Sequence, residues 1–308
     1  MITHSFTPEK YFNVFGTIKP ALRISPGDRV ITTTLDAHGY DQDMKKPGAS
    51  GNPLTGPFFV EGSGPGDTLI VHIETASPNR DTGWTSSVIA DHLVDHSFVR
   101  ELPQKDYLDW KIDRKKSQAS YVDPETGKTV ITLPLSPMLG CIGVAPSEGQ
   151  MISSRYSGEH GGNMDYRGFR EGTTAFFPVF QEGALLYVGD GHAAQGDGEP
   201  VGTGIETSFD VQFSVDLVKG KRIQWPRGED SEHIFTAGNA APLEQAARFA
   251  LTEMIRWLGT DYNMTIELAS IILGQATEFD LANLFNPLFT AVCRLKKSVI
   301  TNRGNPRE

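Results

Sequence analysis

The chain consists largely of short apolar runs of strand length, each bounded by Gly, Pro, Asn or Asp. Residues 29–35 and 57–61 are two such runs, and residues 209–217 alternate polar and apolar side chains as a half-buried strand does. Turn residues recur about every eight to twelve positions over much of the sequence, a spacing typical of antiparallel sandwiches and barrels. The pattern predicts a mainly β fold whose core is an antiparallel sandwich or barrel.

The hydrophobic period changes near the C-terminus. Residues 243–259 repeat apolar side chains at helical spacing, and Gly259 stands where a helix commonly ends. A second helix is predicted over residues 265–273, and strands are predicted at 277–281 and 290–295. We therefore expect a smaller α+β portion at this end of the fold.

A glycine-rich stretch between residues 158 and 206 concentrates polar side chains. Two strand-length runs within it, 175–180 and 184–188, are separated by the turn residues 181–183, so they predict a hairpin. The interleaved glycines leave room for the backbone to approach a small ligand or an ion closely. Crowded polar groups of this kind indicate a functional site.

Asp190 and His192 follow the second of these strands and are two residues apart. In an extended chain both side chains would point to one face, as a chelating pair requires. An imidazole together with a carboxylate suits zinc or a similar divalent ion. Asp36 and His38 repeat the spacing at the end of another predicted strand, and His160 lies upstream in the glycine-rich stretch. These five residues are the predicted metal ligands.

Several blocks of the sequence resemble the acetamidase/formamidase family. They occur in family order: NPLTGPFFVEGSGPGDTLIVHI at 52–73, IGVAPSEG at 142–149, HGGNMD at 160–165, EGALLYVGDGHAAQGDGE at 182–199 and GTGIET at 202–207. The resemblance is strong over residues 24–215 and looser in the C-terminal part. It implies hydrolysis of a short neutral aliphatic amide, of the formamide or acetamide class, to a carboxylate and ammonia.

Amide hydrolysis requires a polarised carbonyl, a nucleophile and a proton for the departing nitrogen. A divalent ion meets the first two needs by withdrawing electron density and lowering the pKa of bound water. We expect zinc, with calcium as the alternative, and we expect Glu199 or Glu206 to act as the general base. Gly161 and Gly162, whose backbone N–H groups are suited to an oxyanion, form with Asn163 the predicted substrate-binding set.

Two other classes of protein remain open from the residues alone. Cys141, in the apolar run 138–149, would be the nucleophile of a cysteine-dependent amidase. Its neighbours in sequence supply neither a base nor a group that lowers the pKa of a thiol. The second class is a non-enzymatic β protein that binds a cation in an acidic pocket.

Charge and cysteine content limit the partners and the compartment. A formal net charge of −10 over 308 residues argues against nucleic acid or an anionic membrane as the main partner. Cys141 and Cys293 are too far apart in sequence to indicate a disulfide framework. The first residues lack the pattern of a signal peptide, and no apolar stretch approaches membrane-spanning length. We therefore expect a cytoplasmic protein that acts on a small molecule.

The sequence predicts one acetamidase/formamidase-like unit with three parts. Residues 1–23 form an N-terminal arm, residues 24–225 a β-rich catalytic core, and residues 226–308 the α+β C-terminal portion. Phenylalanines in the arm and apolar side chains within residues 285–289 exceed what a loop needs. They predict a homo-oligomer, most simply a dimer.

Overall fold

The computed structural model describes residues 1–301 and is made mainly of β-strands. In chain order the strands are β1 Thr3–Ser5, β2 Val14–Phe15, β3 Leu22–Ile24, β4 Arg29–Thr34, β5 Leu54–Val60, β6 Thr68–Pro78, β7 Thr82–Ser86, β8 Tyr107–Asp113, β9 Gln118–Val122, β10 Thr129–Pro134, β11 Met138–Gly143, β12 Ile152–Ser153, β13 Ser157–Gly158, β14 Gly161–Asn163, β15 Thr174–Pro178, β16 Leu186–His192, β17 Glu206–Thr207, β18 Phe209–Val218, β19 Arg227–Glu229, β20 His233–Ala240, β21 Glu278–Asn283 and β22 Phe289–Lys296. The α-helices are α1 Leu243–Tyr262, α2 Ile266–Ala276 and α3 Lys297–Thr301, and short 3₁₀ helices occur at Asp91–Leu93, Val99–Glu101 and Ser147–Gly149.

Two large sheets contain most of the strands. The first sheet has the order β1-β4-β18-β6-β15-β19-β20-β22-β21. The second has the order β10-β9-β8-β7-β17-β16-β11-β14-β13, and β5 joins it through β16. Only β1 with β4 and β3 with β5 pair in parallel among the described residues. Neither sheet closes on itself within residues 1–301, so the predicted mainly β antiparallel fold is confirmed as a sandwich.

The sheets pack on each other through a shared apolar core. On β18 the side chains of Phe209, Val211, Phe213 and Val215 are buried at alternate positions, as the sequence pattern predicts. Phe213 meets Phe58 of β5, in the second sheet, edge to face with ring centroids 5.2 Å apart. This packing fixes the second sheet, which carries most of the polar site.

The predicted hairpin over residues 175–188 is wrong. β15 lies in the first sheet between β6 and β19, whereas β16 lies in the second sheet between β11 and β17. The turn residues between them carry the chain from one sheet to the other, with Ala184 and Leu185 at positive φ. A hairpin and a crossing between sheets need the same turn residues, so the local sequence does not distinguish them.

The C-terminal α+β portion is confirmed, although α1 continues past the predicted end at Gly259. Asn263, with a left-handed φ of 52°, ends the helix and donates its N–H to the Leu258 carbonyl. Strands β19 to β22 extend the first sheet, so this portion and the preceding strands share one sheet. The three-part division stays a prediction, and residues 302–308 of its last part lie outside the described residues. No helix within residues 1–301 is long and apolar enough to cross a membrane.

The phenylalanines that predicted a dimer contact their own chain. Phe6 packs edge to face on Phe58, with centroids 5.4 Å apart. Phe15 is fully buried beside Tyr187, and Phe285 lines a cleft. Their apolar character therefore has an explanation within one chain, and the dimer stays a prediction.

Candidate active site

A cleft of about 910 Å³ lies over the second sheet, and its lining includes four of the eight acids of the glycine-rich stretch. We use "acid–histidine cluster" for five buried residues at the cleft, each 4% exposed or less: Asp165, Asp190, His192, Glu199 and Glu206. Asp190 and His192 lie on β16 and Glu206 begins β17, which pairs with β16 and places Glu206 opposite His192. Antiparallel pairing thus joins residues that are far apart in sequence.

The orientation of the His192 ring is determined by Gln195. The Gln195 side-chain N–H groups donate to the backbone carbonyls of Asp165 and Ala282, at 2.7 and 3.2 Å. Because carbonyls only accept, the Gln195 oxygen must face Nδ1 of His192, which lies 2.8 Å away and donates to it. In the neutral ring Nε2 therefore carries a lone pair, and this lone pair faces the carboxylates.

Several ligand atoms of the cluster converge without hydrogen bonds. Within the described part of the chain, Asp165 Oδ1, Asp190 Oδ1, His192 Nε2 and Glu206 Oε2 are buried and have no partner. Nε2 is only 3.0 Å from Glu206 Oε1 and 3.6 Å from Asp190 Oδ1. Two triads share His192, one with Asp190 and Glu206 and one with Asp165 and Glu199, and in each the ligand atoms lie within 4.8 Å of one another. Unpartnered buried groups of this kind fit a divalent cation.

The electrostatics of the cluster agree with this fit. Burial, with repulsion from neighbouring acids, raises the pKa of Asp165 to about 7 and the pKa of Glu206 to about 8. Burial also raises the pKa of Glu199, and Asp165 raises it further. Burial alone would lower the pKa of His192, but the charges of Glu206 and Asp190 raise it. A bound cation would compensate the same negative charges.

Asparagines from a distant turn hold two of the acids. Asn283, at the end of β21, donates to Asp165 Oδ2 at 2.6 Å and to Glu199 Oε2 at 2.7 Å. Asn286 donates to the same Asp165 oxygen at 2.9 Å. Each carboxylate is thereby held by one oxygen, and the first sheet contributes directly to the site.

A second asparagine network orients the Asn163 side chain. Asn52 donates to Asp190 Oδ2 at 2.9 Å and to Asn163 Oδ1 at 3.0 Å, and the Cys141 thiol donates to the same Asn163 oxygen. Because the oxygen of Asn163 accepts both bonds, its NH₂ group must point elsewhere. Asn163 lines the cleft, so it presents a donor to a ligand there.

Four residues of the site have a left-handed backbone that non-glycine residues rarely adopt. The φ angles are 58° at Asn52, 44° at Asp165, 58° at Asp190 and 48° at Glu199. The left-handed φ at Asp190 means that the chain is not regularly extended there, and the side chains of Asp190 and His192 nevertheless face each other. Such strain persists only where the surrounding structure enforces it, and it is concentrated at functional sites.

Two glycines provide the space that the cluster needs. A Cβ at Gly140 would lie 2.5 Å from Asp165 Oδ1 and 2.8 Å from Asp190 Oδ2. A Cβ at Gly204 would lie 2.5 Å from the His192 ring. Both distances are shorter than side-chain contacts allow, so any larger residue would displace the ligand atoms.

The remaining predicted ligands lie outside the two triads. Asp36 accepts hydrogen bonds from Arg80 and Trp84, and His38 stacks on the Trp84 ring while lining the cleft. His160 is buried, with its ring edge to face against Phe15, and burial lowers its pKa to about 4. None of the three joins the converging ligand atoms.

The predicted substrate-binding glycines are also away from the cleft surface. Gly161 and Gly162 lie in β14, paired with β11 on one side and with β13 on the other.

The Cys141 thiol is fully buried in β11, and burial followed by the charge of Asp190 raises its pKa. A thiol in this setting stays protonated, so no observation favours the cysteine alternative.

Several residues that complete the site are not among those predicted from the sequence. Asp165 and Asn52 stand inside blocks of the family resemblance, which was the available signal for them. Asn283 and Asn286 come from a turn more than 80 residues beyond Glu199, in a part of the chain where the resemblance is loose. Nothing local marks them as partners of the acids.

The fold and the site together define a β-sandwich protein with a buried carboxylate–imidazole centre at a cleft. The chain belongs to the acetamidase/formamidase family, whose sequence profile matches residues 8–157 and 149–249. The resemblance found in the sequence blocks is thereby confirmed.

Individual relatives agree with the family assignment. An acetamidase of Mycolicibacterium smegmatis is 30% identical over 246 residues, covering 62% of this chain and 59% of that protein. A crystal structure of an acetamidase from Yersinia enterocolitica has a TM-score of 0.82 and 31% identity, covering 97% of this chain and 93% of that one. A predicted acetamidase/formamidase from Thermoanaerobacter tengcongensis has a TM-score of 0.83 and 28% identity, covering 98% and 97%. The chain spans about half the length of the curated relatives it matches.

Proposed function

We propose that this protein hydrolyses the C–N bond of a linear amide, giving a carboxylate and ammonia, with a divalent cation held by Asp190, His192 and Glu206. The observation that carries the proposal is the convergence of unpartnered ligand atoms from these three residues at a cleft. Family membership supports the reaction class, because relatives of this chain are named acetamidase and formamidase. Formamide and acetamide are the simplest substrates of that class.

The ligand set of one imidazole and two carboxylates is compatible with zinc, which commonly takes three protein ligands in catalytic sites. When bound, the ion polarises a carbonyl oxygen and lowers the pKa of a bound water. Calcium is the alternative, although it prefers six to eight oxygen ligands. Glu206, which is also a candidate base, is assigned here to the ligands because its Oε2 is among the unpartnered atoms.

Glu199 is the proposed general base. It lines the cleft, and Asn283 holds only its Oε2. In the proposed reaction its carboxylate takes a proton from water while the water oxygen bonds to the amide carbon. The proton then passes to the nitrogen as the C–N bond breaks and ammonia leaves. Its raised pKa favours holding the proton between these steps.

Asn163 is the proposed donor to the amide oxygen. Its NH₂ group has no partner within residues 1–301, and its orientation is fixed by Asn52 and Cys141. A fixed donor stabilises the negative charge that develops on the oxygen better than a mobile water does. Gly161 and Gly162 would contribute only by shaping β14 behind it.

Variants of three residues test these assignments. His192→Ala and Asp190→Asn should lose metal content and ammonia release together, because each removes a ligand atom. Glu199→Gln should retain the metal and lose at least about a hundredfold in turnover, as expected for a missing general base. The matched control is His160→Ala, which removes another buried imidazole with an unpartnered Nε2. It should keep its metal.

Metal content is measured on purified, folded protein, and ammonia release is measured with acetamide and formamide. A His192→Ala protein with full metal content and full turnover would contradict the ligand assignment. Metal-loaded wild type that releases no ammonia from any linear amide would contradict the reaction class, and would favour a cation-binding protein.

We also propose a cytoplasmic location and a dimer. Support for the location comes from two cysteines, Cys141 and Cys293, which are both buried and form no disulfide within the described residues. The proposal of a dimer is based on large apolar side chains that are exposed in the single chain, such as Ile266 and Ile271 on α2. Light scattering distinguishes a dimer from a monomer of 33.7 kDa.

A further inference from the structure

Among the aromatic rings that line the cleft, three pack on one another and have no role in the proposed bond cleavage. His38 and Trp84 are stacked with centroids 3.7 Å apart and planes 7° from parallel. Tyr107 stands nearly perpendicular to both, at 5.1 and 5.2 Å. All three residues line the cleft, and each keeps part of its surface exposed. We call them the aromatic wall.

A buried carboxylate holds the aromatic wall in place. Asp36 Oδ2 accepts the Trp84 indole N–H at 3.2 Å, and its Oδ1 accepts the His38 backbone N–H at 3.0 Å. Arg80 compensates the charge of Asp36 at 2.5 Å. Its other N–H groups donate to backbone carbonyls, including that of Thr82 at 3.0 Å. The rings are therefore oriented before any ligand arrives, and a preorganised surface loses little entropy on binding.

The cleft is large for a two-carbon amide. Its volume of about 910 Å³ is near the upper end of the pockets that enclose ligands of drug size, roughly 300 to 1,000 Å³. Acetamide would contact the cluster and leave the aromatic wall facing water. Tyr156 and Phe285 add two further aromatic rings to the cleft lining. Flat aromatic groups gain most from such surfaces, through offset or edge contacts between rings.

We propose that the preferred substrate carries an aromatic ring on its acyl group, as in an arylacetamide, and that this ring packs on the aromatic wall. Asp36 is then a positioning residue, which acts through Trp84 and His38. The inference rests on the proposed amide hydrolysis at the same cleft. The product would be an aryl-substituted carboxylic acid, with the C–N bond broken by water as before.

The first test compares two amides that differ in the aryl group. Wild-type protein should show a kcat/KM for 2-phenylacetamide at least about tenfold above that for acetamide, since even one methylene in an apolar pocket gives about 10- to 200-fold. Equal values, or a preference for acetamide, would overturn the inference and leave the proposed hydrolysis intact.

Two variants locate the preference in the wall. Tyr107 is 58% exposed, so Tyr107→Ala should fold normally and lower the ratio of the two kcat/KM values about tenfold. The matched control is Phe279→Ala on β21, an aromatic residue that is 46% exposed and does not line the cleft. It should leave the ratio unchanged. Asp36→Asn should raise KM for the aryl amide more than it lowers kcat, whereas simple loss of folded protein would lower kcat alone.

A binding measurement separates the two proposals if hydrolysis fails. Calorimetric titration of metal-loaded protein with 2-phenylacetamide should show binding that Tyr107→Ala weakens about tenfold. If the wild type binds it in this way but cleaves no amide, the proposed function is overturned and the aromatic wall stands. If the wild type neither binds 2-phenylacetamide nor cleaves any amide, both proposals are overturned.

Discussion

At the scale of single residues, the site depends on side chains that orient other side chains. Gln195 is the clearest case, because two backbone carbonyls fix its amide and the amide fixes the tautomer of His192. The ring then presents Nε2 to the acids, and its orientation depends on Asp165 and Ala282, which are distant in sequence and hold Gln195 through their carbonyls. Such outer partners commonly affect metal affinity almost as strongly as the ligands do.

Gln195→Met tests this dependence. The variant keeps the side-chain length but removes both the acceptor for Nδ1 and the donor to the carbonyls, so metal affinity should fall about 10- to 100-fold. Competition with a chelator of known affinity measures the change. The matched control is Gln181→Met, since Gln181 is equally half-buried and donates to the Pro146 carbonyl at 3.0 Å, away from the cluster. Equal losses in both variants would contradict a role for Gln195 in positioning His192.

Residue patterns predicted part of the cluster and not its supports. The Asp-x-His spacing identified Asp190 and His192, which the structure brings together with Glu199 and Glu206. The same spacing at Asp36 and His38 does not produce a pair of ligands, because the Asp36 carboxylate accepts hydrogen bonds from Arg80 and from the Trp84 indole. A two-residue spacing specifies only that two side chains leave the same face of a strand. It does not specify which distant groups arrive beside them.

At the scale of elements, periodicity identified strands and helices better than their ends and partners. β18 and the two long helices occur where the pattern predicts them, because one buried face requires a regular period. The pairing of β15 and β16 with different sheets depends on contacts far away in sequence, which a local pattern does not contain. The end of α1 shows a similar limit, since a glycine is compatible with both a helix interior and a helix end.

The substitution Gly259→Ala tests whether Gly259 lies inside helix α1 or at its end. Gly259 is exposed, is not among the residues with positive φ, and a Cβ there would be 3.7 Å from its nearest contact, the Met264 carbonyl oxygen. The substitution should therefore raise the free energy of unfolding by about 0.5 to 1 kcal/mol. Gly220→Ala is the control, because Gly220 has as much room but a φ of 66°. It should lower the free energy of unfolding by about 1 kcal/mol.

Denaturant unfolding followed by circular dichroism measures both changes. If Gly259→Ala destabilises the protein as Gly220→Ala does, the helix ends at Gly259 and the C-cap assigned to Asn263 is contradicted. The two glycines thus test the helix boundary without touching the active site.

At the scale of the whole molecule, the acid–histidine cluster connects the two sheets. Its ligands stand on β16 and β17 of the second sheet, and Asn283 holds Asp165 and Glu199 from the first. The fold class was predictable because strand spacing and turn residues repeat over much of the chain. The joining of the sheets at the site was not, because it depends on a turn between β21 and β22 whose role appears only after folding.

This arrangement predicts that a divalent cation stabilises the whole fold. Buried carboxylates without compensation repel one another, whereas an ion that binds only the native state adds about 2.7 kcal/mol when its concentration is a hundredfold above the Kd. Chelation should therefore lower the free energy of unfolding of the wild type by about that amount. Urea unfolding with and without EDTA measures the difference.

Substitutions then separate the cluster from other buried acids. Asp190→Asn should lose most of the EDTA effect, and in EDTA it should be at least as stable as the wild type, because it removes one of the mutually repelling charges. Asp67→Asn is the matched control. Asp67 is equally buried but is paired with Lys219 at 2.6 Å and with the Gly220 N–H at 2.8 Å, so its loss should destabilise the protein and leave the EDTA effect unchanged. A wild type whose unfolding is insensitive to EDTA after metal loading, or an Asp190→Asn protein that keeps the full effect, would contradict a cation at this centre.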